Sequence, residues 1–96
     1  MAKSKKPQYV VVRTYSAGVH CGELVSRNGR EVTLRNTRRL WRWAGANTLS
    51  EVAVAGVGAG SKVSVAAPEN LLTEAIEVIA CTAEGEASLR SAKWEA

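Results

Sequence analysis

The chain has no phenylalanine among its 96 residues, a single histidine, two cysteines and two prolines. A zinc centre is excluded by this scarcity, because His20 with Cys21 and Cys81, at no CxxC spacing, supplies too few ligands. Nucleophilic catalysis would have to be built around His20, with Ser16 or Cys21 as its partner. In an extended stretch, however, His20 and Cys21 point to opposite faces and do not pair locally. The glutamates of the second half carry ordinary helix or surface spacing rather than that of a tuned pair. The expectation is a protein that binds without catalysing, with no catalytic residues, metal or cofactor.

Long hydrophobic runs are missing as well. No apolar stretch reaches about 18 residues and no export signal is present, so neither membrane insertion nor secretion is expected. Each cysteine sits inside an apolar run, which suits buried free thiols in a reducing cytoplasm. The hydrophobic share is 46%, but much of it is alanine and valine. One domain with a small core follows, burying about two thirds of the surface that the unfolded chain exposes. Such chains often complete their cores by forming homo-oligomers, dimers or larger.

What is present is unevenly placed. From Arg27 to Trp43 there are six arginines against the single Glu31, and from Ala44 onward seven glutamates against Lys62, Arg90 and Lys93. Anions are attracted to the first half rather than the second. Lys3, Lys5 and Lys6 precede Pro7 and suggest a disordered basic tail over 1–8, leaving 9–96 as a single β-rich binding domain.

Local patterns predict a mainly β, α+β fold: a small, strongly bent antiparallel sheet or barrel-like domain of five or six strands with one or two short helices. "YVVVRTY" from Tyr9 to Tyr15 is a β-branched run, followed by a turn or flexible loop at Ser16 to Gly18. Asn28-Gly29 is a hairpin signal for a type I′ turn; it would set Val25 opposite Val32 and Glu23 opposite Leu34. Cys21, Val25, Val32 and Leu34 would then share the core face, with His20, Leu24, Thr33 and Arg35 on the other. Arg38 to Trp43 alternates as a strand. Thr48 and Glu51 form a capping box for a short helix ending at Gly56. "GVGAGS" is a loop, "KVSVAA" a strand stopping near Pro68, and Thr73 to Cys81 a further strand. Thr82 caps a last helix that Gly85 weakens, with Trp94 at the tail.

The candidate site centres on "RRLWRWAGANT". On one strand face, Arg39, Trp41 and Trp43 would offer a guanidinium for phosphate and flat indoles for a base. Gly45 allows backbone approach, and Asn47 with Thr48 adds donors at a helix start. Arg38 contributes charge on the neighbouring face. The competing reading is structural: with no phenylalanine to fill it, the core is a natural place for Trp41 and Trp43. A second source is the loop after the first strand, either a plain hairpin turn or a mobile flap in which Arg13, Tyr15, Ser16, Gly18 and His20 bring polar groups to a ligand. Arg90 is a further cation.

Three stretches carry a resemblance: "SAGVH", "NTRRLWRWAGA" and "AIEVI", within a similarity running from about Tyr9 to Cys81. They resemble a group of small phage-encoded proteins and, through them, the type 1 Thoeris anti-defence proteins, sponges that hold a cyclic ADP-ribose isomer without cleaving it. The resemblance implies a small β-rich protein that dimerises and assembles further. It also implies recessed pockets near subunit edges, closed here by Tyr15 to Val19, and in some relatives a separate site for cyclic oligonucleotides. The short "GVGAGS" loop and the lack of a long C-terminal helix depart from that pattern, leaving any pocket wall from that end unassigned. The resulting expectation is a sponge for a cyclic nucleotide immune messenger, acting in the host cytoplasm. The alternatives are a nucleic-acid-binding β-domain using the arginine strip, or a surface inhibitor of a host protein.

Overall fold

A computed structural model describes residues 8–16, 18–43, 45, 48–58 and 60–92. Six strands and two helices follow in chain order: β1 (Tyr9–Thr14), β2 (Val19–Asn28), β3 (Glu31–Arg42), α1 (Leu49–Ala55), β4 (Lys62–Val63), β5 (Ala67–Leu72), β6 (Ala75–Ala80) and α2 (Ala83–Ser91). All strand pairs are antiparallel, in the order β4-β3-β2-β1-β6, with β5 beside the first half of β3. Only Thr73 and Glu74 join β5 to β6, which occupy opposite edges of this sheet, so the sheet has to curl strongly. The mainly β expectation holds. Lys3, Lys5, Lys6, Asn47 and Trp94 lie outside the described residues.

The curl creates a core on each face. Tyr9, Val11, Cys21, Leu40 and Val63 meet Val52, Ala53 and Leu89 of the helices on one face. On the other, Val10, Val12, Val32, Leu34, Leu72 and Ala75 pack inside the bend. "YVVV" is a continuous apolar run because β1 is covered on both sides, and alternate valines serve different cores. Domain order begins before Tyr9, since the Gln8 carbonyl accepts from the Leu24 amide at 2.8 Å. Gln8 is thus tied to β2, and residues 1–7 of the expected tail lie outside the described residues.

The hairpin register differs from expectation. Asn28 pairs with Glu31 and Arg27 with Val32, so the turn residues are Gly29 and Arg30. Only Gly29 of these two has positive φ, +63°, the sign pattern of a type II′ turn rather than I′. Register irregularities between Cys21 and Glu23 and between Leu24 and Ser26 then change which side chains share a face. At the first, Asn36 adopts φ 53° and β3 gains a residue against β2. Cys21 consequently joins the helix-side core, Val32 and Leu34 the other, and Val25 is 43% exposed.

β5 departs from the expectation of a strand that stops near Pro68, since Pro68 lies inside it. Pro68 is tolerated because β5 pairs on one side only, with β3, and a missing N–H matters little on an edge. The caps are as expected: Thr48 Oγ1 accepts from the Glu51 amide at 3.2 Å, and Thr82 Oγ1 from the Gly85 amide at 3.0 Å. Gly85 weakens α2 as an isolated helix but permits its packing. A Cβ there would stand 2.0 Å from the Ala53 carbonyl oxygen, so α1 and α2 approach through this gap.

Candidate functional site

Arg38 and Arg39 are adjacent on β3 and meet different partners. Arg38 pairs with Cys21 on the helix side of the sheet. Its Nε donates to the Ser64 carbonyl at 2.7 Å, and its Nη1 to the carbonyls of Leu89 at 2.6 Å and Arg90 at 3.0 Å. Nη2 donates to the Ala92 carbonyl. Those of Leu89, Arg90 and Ala92 are carbonyls that the end of α2 leaves without helical partners, and the cation also faces the negative end of the helix dipole. Arg38, expected in the ligand site, is a structural cap. Arg90 is engaged too: it pairs with Glu86 at 2.8 Å and Glu23 at 3.0 Å and lies 4.6 Å from the Tyr9 ring centre.

Arg39 pairs with His20, so the two share the opposite face. Arg39 lines a concavity of about 480 Å³ together with Ser16 and Gly18 from the β1–β2 loop, Val19, Leu40, Trp41 and Trp43. The loop is held at its base: the Thr14 amide and Oγ1 donate to the Gly18 carbonyl at 3.0 and 2.7 Å. The Tyr15 amide donates to the Glu74 carbonyl at 3.0 Å, and Ser16 Oγ donates to the Glu74 carboxylate. The loop thus connects the concavity to the β5–β6 junction.

The two tryptophans are unlike. Trp41 is 62% exposed, whereas Trp43 is half-buried and packs on the helix-side core with Val19, Leu49 and Val57. The register against β4 shifts between Leu40 and Arg42 and β3 ends at Arg42, so the alternation that would have kept Trp43 flush with Arg39 and Trp41 is broken before it. Its indole still reaches the first concavity and also borders a second of about 430 Å³. Arg13, Glu77, Val19, Thr48, Leu49 and Ser50 complete that second concavity. A third, of about 260 Å³, brings His20 and Arg39 beside Thr37, Ser64 and Asn70.

Of the residues singled out in the sequence, Ser16, Gly18, Arg39, Trp41 and Trp43 meet in the first concavity, and Arg13, Trp43 and Thr48 in the second. His20 is 1% exposed and sits with Arg39 in the third. Tyr15 is 80% exposed. Gly45 has φ +84°, and a Cβ there would stand 3.2 Å from the Gly58 amide nitrogen. Glu77 and Ser50 were missed, because alternation within "AIEVIA" shows Glu77 opposite in sense to its apolar neighbours but not which strand flanks it.

Both thiols are held toward the protonated form. Burial pushes Cys81 up to about 12 and raises Cys21, whose sulfur accepts from the Tyr9 hydroxyl at 3.4 Å. Burial likewise raises Tyr9. No cluster of three or more potential metal ligands occurs among the described residues. No helix among them is long and apolar enough to cross a membrane.

The architecture is that of a small antiparallel β protein with adjoining cationic and aromatic concavities at one end of its sheet. The chain belongs to the family described as a domain of unknown function, DUF6948, which matches residues 7–89. No curated protein and no solved structure matches it.

Proposed function

We propose that this protein is a non-catalytic sponge that binds and sequesters a cyclic nucleotide second messenger. A cyclic ADP-ribose isomer or a cyclic oligonucleotide is the favoured ligand class, and blocking of host antiviral signalling in the cytoplasm is the consequence. The observation that carries this reading is the convergence of Arg39, Trp41 and Trp43 with the Ser16–Gly18 loop on one concavity. A guanidinium supplies a charge-assisted fork for phosphate oxygens, and an indole supplies a stacking plane. The volumes of the two adjoining concavities, about 480 and 430 Å³, fall in the range of small-molecule sites. The resemblance of "SAGVH", "NTRRLWRWAGA" and "AIEVI" to the anti-defence proteins supports the same reading.

Out-competing a receptor calls for nanomolar affinity, about 12 kcal/mol at standard state. Exposed Val65, Leu71 and Ile76 are compatible with a homo-oligomer that walls the site further. Calorimetry with cyclic ADP-ribose isomers and cyclic di- and trinucleotides should give saturable heat with at least one of them. Protein purified from a host carrying the messenger should release material absorbing at 260 nm on denaturation. No heat with any ligand, together with no released chromophore, would refute the reading.

A second reading is supported by exposed Arg27, Arg30, Arg35 and Arg42 along the β2–β3 hairpin: a nucleic-acid-binding domain. Its affinity would fall steeply with salt as several counterions are released, while a pocket binder would lose far less. Inhibition of a host protein through the same surface predicts a stoichiometric partner in a pull-down.

A further inference from the structure

The second concavity contains the one feature that a simple phosphate site does not explain, a carboxylate. Arg13 and Glu77 are direct partners across the β1–β6 ladder, and directly opposed side chains of an antiparallel pair stand on one face. They form no ion pair with each other, unlike Arg90 with Glu23 and Glu86. Both instead line the concavity that Trp43 shares with the Arg39 side. Among the described residues the Arg39 concavity has no carboxylate on its own lining, the Glu74 carboxylate standing behind Ser16, whereas the second concavity sets Glu77 against Arg13, so the two halves differ in charge across a common indole.

That difference orients a ligand. A phosphate placed about 4 Å from the Glu77 carboxylate would meet strong repulsion, so the phosphates belong beside Arg39. What Glu77 can favour is a group rich in hydrogen-bond donors, because an ionised carboxylate is an acceptor only. A ribose presents two adjacent hydroxyls that one carboxylate can bind together, as acidic residues do for ribose in dinucleotide sites. Thr48 Oγ1 already accepts from the Glu51 amide, which leaves Glu77 as the stronger acceptor on this wall.

We propose that Glu77 recognises the 2′,3′-cis-diol of a ribonucleotide whose phosphates lie toward Arg39 and whose base or sugar rests on Trp43. The ligand class is then a nucleotide with at least one free ribose diol. The proposal rests on the nucleotide-binding reading, and the test separates the two.

The probes are ADP and 2′,3′-dideoxy-ADP, titrated calorimetrically into the full chain and into Glu77→Ala. Wild-type protein should bind ADP at least about tenfold more tightly than the dideoxy analogue, the range expected for hydrogen bonds to a charged group. Glu77→Ala should lose that preference while its affinity for dideoxy-ADP stays within about twofold of wild type, and its thermal midpoint should match wild type because the side chain is exposed. A general lesion in the fold would weaken both probes equally and would count against the assignment. If the wild type binds both probes equally, or if Glu77→Ala keeps the preference, diol recognition by Glu77 is overturned while nucleotide binding stands. If wild-type protein binds neither probe nor any cyclic nucleotide, both readings fall together.

Discussion

The two faces of β3 use the same residue type for opposite purposes. On the helix side, Arg38 directs its Nε and both terminal nitrogens to carbonyls from the end of α2 and from Ser64. On the other side, Arg39 borders two concavities and joins Trp41 and the β1–β2 loop. Guanidinium chemistry alone therefore does not mark a binding residue. What decides is whether carbonyl groups without helical partners happen to face it.

The sharpest way to break the helix side is Gly85→Ala. With a Cβ 2.0 Å from the Ala53 carbonyl oxygen, α2 must move off α1, and urea unfolding should show a loss of about 3 kcal/mol. On the open side, Arg39→Ala should cost about a hundredfold in affinity for the messenger, about 2.7 kcal/mol, with the unfolding midpoint nearly unchanged. Arg38→Ala should do the reverse. Freeing the carbonyls at the end of α2 should lower stability by about 2 kcal/mol, with ligand affinity per folded molecule kept. If Arg38→Ala abolished binding in a protein of wild-type stability, the contrast between the two arginines would collapse.

Trp41→Ala, removing a 62% exposed indole, should weaken binding about tenfold, within the range for base stacking, and shift stability by less than about 0.5 kcal/mol. Trp43→Ala would confound the two effects, since that indole also packs on the helix-side core. The smallest effect belongs to Glu23, whose carboxyl is held below its usual range first by its hydrogen bond to Arg90. A lowered folded-state value stabilises above the unfolded value of about 4.3 and loses that contribution as pH falls through the folded value. Glu23→Gln should therefore cost less than about 1 kcal/mol at pH 7 and nothing well below pH 4, measured by unfolding across that range.

These expectations also show how far the amino-acid order reached. The helix caps at Thr48 and Thr82 were legible because a cap is a contact between residues three apart. The buried first strand was legible from "YVVV". The grouping of Arg39 and Trp41 followed from alternation within one strand. Glu77 was not legible, since its relation to Arg13 depends on the pairing of β1 with β6, about sixty residues apart in sequence.

The sequence by itself determined the buried first strand and the two capped helix starts, that positive charge is concentrated before residue 44, and that the core must be made largely from small aliphatic side chains. Tertiary structure alone decided the hairpin register, the separation of Val32 and Leu34 from Cys21, and the different surroundings of Arg38 and Arg39. The reason is physical. Caps and alternation are set by neighbours along the chain, whereas a single added residue at Asn36 puts Arg38 and Leu40 on the face opposite Leu34, and only the competing pairings of the whole sheet choose where that residue goes.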